Sequence, residues 1–285
     1  MTVGQTLWSD ISSISNDLYD GAVFQLYQSA VVIQTVRIFN DNTSMWTRKN
    51  TEYGAANPRA VGEGEDVAAT KFERSLLSTL TPAIYADQFF LSDQRIRSDT
   101  QDVVMDAAVE QGAAFAAQAD EAMAVHFGSL TGGTIGTAGG TLTWSSLING
   151  RAILQANKVP GPYFCALHPF QWAYLVKSVA PGQTVTNAPV FQDKILNQYF
   201  ISSILGDVII YSTPSIAVDA SDDAIGAMYA RNALAYDVRQ PFRVEPQRDA
   251  SRRGWEWNFN TDYATGVWVP ARGIQLIGDA ATPST

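Results

Sequence analysis

The sequence predicts an α+β fold, and three observations lead there. Strand-like alternation fills the C-terminal third, a single long helical stripe runs through 98–128, and strands mix with helices from 141 to about 238. At 285 residues the chain is long enough for roughly two domains of ~150 residues.

Taken in order, residues 1–34 carry scattered apolar side chains, with a short amphipathic helix from about 5 to 18 and an extended stretch, VVIQTV, at 31–36. This is an arm that needs something else to lie on. Residues 40–74 hold few core-forming side chains and are punctuated by Gly54, Pro58, Gly62 and Gly64. A segment of that length without a buried face is uncommon inside a compact domain. Strand-like flanks make it a long β-hairpin with a flexible tip. Its charges are sorted, Arg48 and Lys49 on the outgoing limb and Glu63, Glu65 and Asp66 on the return.

Residues 75–97 alternate and predict strands interrupted at Pro82. The long helix then opens at Ser98, an N-cap whose capping box is completed by Gln101. Asp99 and Asp102 favour its positive end. Val103, Val104, Ala107, Ala108, Ala114, Phe115, Ala122 and Val125 form one stripe, and Gly128 stops the helix. At ~1.5 Å per residue it spans about 43 Å. TGGTIGTAGG (131–140) is a flexible connector, because neither a βαβ unit nor a Gly-Lys-Ser/Thr follows its glycines. A helix over 144–157, a buried strand YFCALH, a helix opened by Pro169, and a strand DVIIY come next. Met228 to Tyr236 reads as one strand. Residues 241–248 and 255–262 read as a hairpin with Trp255, Trp257 and Phe259 on one face. Gly273 to Ile277 finishes the sheet.

Composition excludes several function classes. One cysteine, Cys165, and two histidines, His126 and His168, leave no disulfide, no cysteine-built zinc site and no multi-histidine metal centre. No secretory signal, membrane span or lipidation motif is visible. The net charge of -9 argues against wholesale coating of nucleic acid. That charge is unevenly placed. Asp10, Asp17 and Asp20 in residues 1–36, with Asp99, Asp102, Asp106, Glu110, Asp120 and Glu121 in 98–128, account for all of it, since the remaining 19 acids and 19 bases cancel.

Candidate chemistry is sparse. Cys165 and His168 have the spacing of a nucleophile and its base, which would make a hydrolase. Yet Cys165 sits in an apolar run that raises a thiol's pKa, so a buried thiol and a backbone-satisfied histidine is the favoured reading. His126 reads as a cation near a helix C-terminus. No catalytic residue, cofactor site or metal site is assigned. Arg231, Arg239, Arg243, Arg248, Arg252 and Arg253 alternate with Asp237, Glu245 and Asp249. Interface ion pairing suits that interleaving better than a nucleic-acid patch. An arm, a protruding hairpin and a charge-paired sheet without an active site describe a protein that assembles.

The order of parts resembles the major capsid protein of tailed double-stranded DNA bacteriophages, whose fold encapsulins share. The resemblance lies in LTPAIYADQFFLSDQRIRSD running into the long helix, then TWSSLINGRAILQANKVPG, ALHPFQWAYLVKS and ILGDVIIYSTPSI. It ends in the stretch from ARNALAYDVRQPFRVEPQRD to ARGIQLIGDA. It covers nearly the whole chain from about residue 30, through the succession of these stretches and no single motif.

The resemblance implies an N-terminal arm at 1–33, an extended loop at 34–78, and a peripheral domain of 79–140 and 239–270 with a spine helix at 98–128. An axial domain takes 141–238 and 271–285. It further implies hexamers and pentamers of an icosahedral shell around viral DNA, with no sequence-specific DNA binding, no membrane and no cofactor. Contacts between subunits would fall to Arg48, Lys49, Glu63, Glu65, Asp66, Arg243, Arg248, Arg252 and Arg253. The acids of the arm and the spine helix would line the lumen. A start directly at the arm favours a separate scaffolding protein, with a portal and a possible decoration protein. An isopeptide crosslink, known in some members, has candidates in Lys49 or Lys71 with Asn258 or Asn260. The alternative within the fold is an encapsulin-like nanocompartment.

Overall fold

Two larger sheets and a two-stranded hairpin hold the described strands, and the chain passes between the larger sheets at a tight turn over 231–233. The computed structural model describes residues 30–40, 46–53, 60–64, 74–98, 103–178, 203–204 and 207–283.

The first sheet has four strands: β1 (Arg37–Phe39), β4 (Ala83–Ser92), β10 (Leu234–Asp249) and β11 (Gly254–Val267), in the order β1-β10-β11-β4. The expected hairpin is its centre and is longer at both ends, running from Leu234 opposite Val267 to Asp249 opposite Gly254. Its predicted aromatic face is real. Trp257 and Phe259 are buried with Phe242 beneath the long helix α3 (Val103–Ala124), whose Phe115 meets the Phe242 ring edge-on at 5.2 Å. Large rings fill this layer because the helix side of the interface is built mainly from small residues, among them Ala108, Ala116 and Ala119.

Six strands make the second sheet: β5 (Thr134–Gly136), β6 (Tyr163–Leu167), β7 (Ser203–Ile204), β8 (Val208–Ser212), β9 (Asp223–Ala230) and β12 (Gly273–Asp279), ordered β5-β12-β9-β6-β8-β7. Helices α4 (Trp144–Ala156) and α5 (Pro169–Lys177) cover it. Leu147, Leu154 and Leu175 share its core with Tyr163, Cys165, Met228 and Leu276. A separate two-stranded hairpin joins β2 (Arg48–Tyr53) to β3 (Arg74–Leu80) in antiparallel register, as the flanks of that segment predict.

Several expectations change. VVIQTV is not extended: Val32–Thr35 forms a helical turn, α1. Ser98 ends a preceding short helix, α2 (Asp93–Ser98). The described part of the long helix runs ~33 Å at about 1.5 Å per residue before tightening into a 3₁₀ turn at Val125–Ser129. Its buried stripe is Ala108, Phe115, Ala116, Ala119 and Met123, while Val125 is 74% exposed. The strand read over 228–236 is two. β9 stops at Ala230, the Ala233 N–H bonds back to the Ala230 carbonyl at 2.8 Å, and β10 starts in the other sheet. The segment 131–140 contributes β5, which pairs with β12. It therefore belongs with the six-stranded sheet and not with 79–130.

A joint connects the two layers. Val32 of α1 and Val36 just after it, Met123 of the long helix, Phe127 of the 3₁₀ turn that follows, and Leu234 at the start of β10 bury together with Tyr229 of β9.

Candidate assembly surfaces

The root of the β2–β3 hairpin is clasped to the four-stranded sheet. Arg48 Nε donates to Asp237 at 3.0 Å, and Arg239 donates to the same carboxylate at 2.7 Å. Asp237 is fully buried. The Arg48 guanidinium also lies over the Phe39 ring at 4.3 Å, with Arg37 over it at 4.6 Å. Asn50 and Ser78, opposite each other in the hairpin, both donate to the Trp268 carbonyl. Arg48 is therefore an internal strut, which corrects its expected pairing with an adjacent subunit. Its neighbour Lys49 points the other way and is exposed, as is Glu63. Glu65, Asp66 and Lys71 lie outside the described residues.

At the opposite end of that sheet, β10 and β11 turn over at 249–254 beside α2. Arg248 grips Asp93 with two hydrogen bonds at 2.7 and 2.8 Å. That grip holds the Asp93 carboxyl below the ordinary value of 3.8. Asp249 accepts from Ser251 and from the Arg252 N–H, while Arg252 reaches Glu256 at 3.0 Å and covers the Phe90 ring. Arg253 takes a left-handed backbone, φ 52°, and its carbonyl accepts from the Asp93 N–H. Arg243 pairs with Glu245. The predicted arginine–carboxylate pairing is thus present, but inside one chain, where it fixes the tip. Asn258 and Asn260 sit on β11, the strand between β10 and β4. The Asn258 amide donates to the Glu245 carbonyl and the Asn260 oxygen accepts from Gln240.

The acids of the long helix separate into two groups. Asp106, Glu110 and Glu121 are exposed. Asp120 is not: it is 2% exposed, and its carboxylate accepts from the N–H groups of Val31, Val32 and Ile33 at 2.8, 3.1 and 3.1 Å. It caps α1 from a distance and pins the 30–36 segment into the joint between the sheets, so it is no part of an acidic surface. Burial raises its pKa, against those three N–H groups. A signal for this role was in the sequence: Asp120 keeps helical register with Phe115, Ala116, Ala119 and Met123 on the buried stripe. Asp10, Asp17, Asp20, Asp99 and Asp102 lie outside the described residues.

Cys165 and His168 both hold structural positions. Cys165 is fully buried in the core of the six-stranded sheet, and burial pushes its thiol far above the ordinary value. His168 caps α5: its Nδ1 accepts from the Phe170 N–H at 3.3 Å, while its own N–H donates to the Gln171 side chain at 3.2 Å. Burial lowers its pKa and favours the neutral ring that a cap requires. His126 is likewise held toward neutrality by burial and bonds Thr265 at 3.2 Å. The expected cation is therefore disfavoured. Among the described residues, no three His, Cys, Asp or Glu side chains converge as a metal site, and no helix is long and apolar enough to cross a membrane.

The family model described as phage capsid protein matches residues 77–276. The chain belongs to the phage capsid protein family. It is a structural, major capsid protein with the tailed-phage capsid fold. No curated protein compared with this capsid protein matches it. Among solved structures, a chain of Mycobacterium phage Che8 is 14% identical, with a TM-score of 0.67 over 82% of this chain and 85% of that one. The capsid of cyanophage P-SCSP1u is 13% identical, with a TM-score of 0.66 over 88% and 89%. A virus-like particle from Pyrococcus furiosus is 12% identical, with a TM-score of 0.58 over 93% and 98%. At such identities the likeness concerns fold.

Proposed function

We propose that this capsid protein assembles into hexamers and pentamers tiling an icosahedral shell, formed in the host bacterial cytoplasm and enclosing double-stranded viral DNA. The family match over 77–276 carries this reading. The six-stranded sheet and its helices serve as the axial domain at the capsomer centre. The four-stranded sheet with α3 is the peripheral domain, and the β2–β3 hairpin is the extended loop that reaches a neighbour. Its work is structural and needs neither catalysis nor cofactor. A separate scaffolding protein and a portal assist assembly, and a decoration protein is a further partner. Glu63 and Arg253, both exposed, are available to neighbouring subunits.

The exposed Asp106, Glu110 and Glu121, joined by the acids of residues 1–36 and 98–102, line the lumen and repel the DNA backbone. Like charge keeps an enclosed polyanion from sticking to its container. Shells carrying Lys at 106, 110 and 121 should then retain DNA in a salt-dependent way after opening. Release equal to the unaltered shell would remove this lining role. A crosslink from Lys49 or Lys71 to Asn258 or Asn260 is tested by boiling shells in denaturant, where bands at monomer mass alone reject it.

Electron microscopy of the expressed chain, with and without scaffolding protein, tests the main reading: capsomers or shells are expected, and a persistent monomer would overturn it. The likeness to the Pyrococcus virus-like particle favours one second reading, a cellular nanocompartment. Nuclease-protected double-stranded DNA and a portal vertex in native particles decide for the virus; cargo proteins without DNA decide for the compartment.

A further inference from the structure

The outer edge of β4 pairs with no strand among the described residues, because the sheet order ends there. It is a ten-residue edge without Lys or internal Pro, and Ile84 on it is 69% exposed. Its one charge is Asp87, and an edge so lightly blocked can pair with another chain that offers the opposite charge. Between this edge and α3 lies a cleft of about 330 Å³. Tyr85 and Phe115 form its apolar floor, and Asp87, Gln111 and Gln118 line it. Asp87 is exposed, and no described residue forms an ion pair with it. The Gln111 Oε1 is buried and lacks a hydrogen-bond donor among the described residues.

An apolar floor beside an exposed carboxylate suits the side chain of a lysine. Its stem packs on rings while its three N–H bonds reach acceptors. The chain's own N-terminal segment cannot supply that side chain, because residues 1–36 contain neither Lys nor Arg. Arg48 is committed to Asp237. Lys49, next to it in β2, is exposed and forms no ion pair among the described residues. Arg74 stands at the first residue of β3, whereas Lys49 lies within its strand.

We propose that this cleft is a lysine socket for a second copy of the chain: Lys49 of one subunit enters beside Asp87 and Gln111 of another, and β2 of the first lies along the open edge of β4 of the second. The proposal rests on the shell-forming reading and names the surface by which one hairpin docks. The opposite-charge pair would recur at every subunit, and that repetition multiplies its effect on assembly.

A charge swap tests it. Asp87→Lys and Lys49→Asp should each lower shell yield by about tenfold, while the isolated chains melt as the unaltered one does. The double variant should restore the yield. Asp87→Asn, which changes no volume, should weaken assembly in the same direction. Carbodiimide treatment of shells built from mixed light and heavy-isotope-labelled chains should give a Lys49–Asp87 linked peptide between the two. Those amides of 83–92 that point away from β11 should exchange more slowly in shells than in isolated chains. Shells that form while Asp87→Lys has no effect, a double variant no better than the worse single one, or a linked peptide confined to one chain would overturn the socket alone. Slow exchange, already in the isolated chain, of the 83–92 amides that point away from β11 would mean that its own sequence covers the edge, and would also overturn it. Failure of the unaltered chain to form any shell would remove the shell-forming reading, and the socket with it.

Discussion

Asp237 accepts from Arg48 Nε at 3.0 Å across 189 residues of sequence. This contact joins the hairpin root to the strand that leaves the sheet-switching turn. Arg239 shares the carboxylate, and Asp237 is shielded completely from solvent. The pair sets the direction in which the hairpin leaves the sheet.

Asp237→Ala strands two shielded guanidinium groups. Breaking a buried pair by removing one partner costs about 3–5 kcal/mol, so a large fall in melting temperature is expected. Reversal at Arg48 should also unfold the hairpin root, since Arg48 is a strut and not a free surface cation. Urea unfolding of both variants checks this, and an unchanged midpoint for Asp237→Ala would contradict it.

Replacement of Asp120 should loosen 30–36 specifically. Asp120→Ala removes the acceptor of the Val31, Val32 and Ile33 N–H groups, and unmade buried hydrogen bonds cost about 1–3 kcal/mol each. Hydrogen exchange at these three amides should accelerate far more than in β11. Uniform acceleration would instead indicate global destabilisation.

Cys165 and His168 should behave as structural residues. Native protein should resist thiol reagents until unfolded. His168→Ala should cost about 1 kcal/mol through the lost cap, with His168→Asn recovering much of it. Thermal melts and reagent titration measure both. Rapid labelling of the native thiol would show that the core around β6 is open.

The tip ion pair gives a pH dependence of known sign. Arg248 depresses the folded-state pKa of Asp93 below 3.8. Its contribution is therefore present above that value and is lost as the pH falls through the depressed one. Melting temperature measured from about pH 6 down to about pH 2 should fall less steeply for Arg248→Gln than for the unaltered chain. The difference should be small, because the pair is solvent-exposed. Parallel curves would exclude the linkage.

Much of this protein was legible without a structure. Alternation in WEWNFNTD, the proline opening α5 and the punctuation around the hairpin are local signals, and each led to the element present. Residues 31–36 and 228–236 depart from what their local pattern predicts, for one reason. Their local pattern suits a strand throughout, whereas the turn at 231–233 and the α1 turn depend on partners distant in sequence: Asp120 for the N–H groups of 31–33, and two different sheets for β9 and β10. Charge behaved the same way. The sequence alone determined how many acids the long helix carries and that arginines and carboxylates interleave near the C-terminus. Only the tertiary structure decided that Asp120 faces inward while Asp106, Glu110 and Glu121 face solvent, and that Arg48 and Arg248 find their carboxylates within the same chain. A side chain's charge is a property of the residue, but its burial and partner are set by the packing of elements far apart in the sequence.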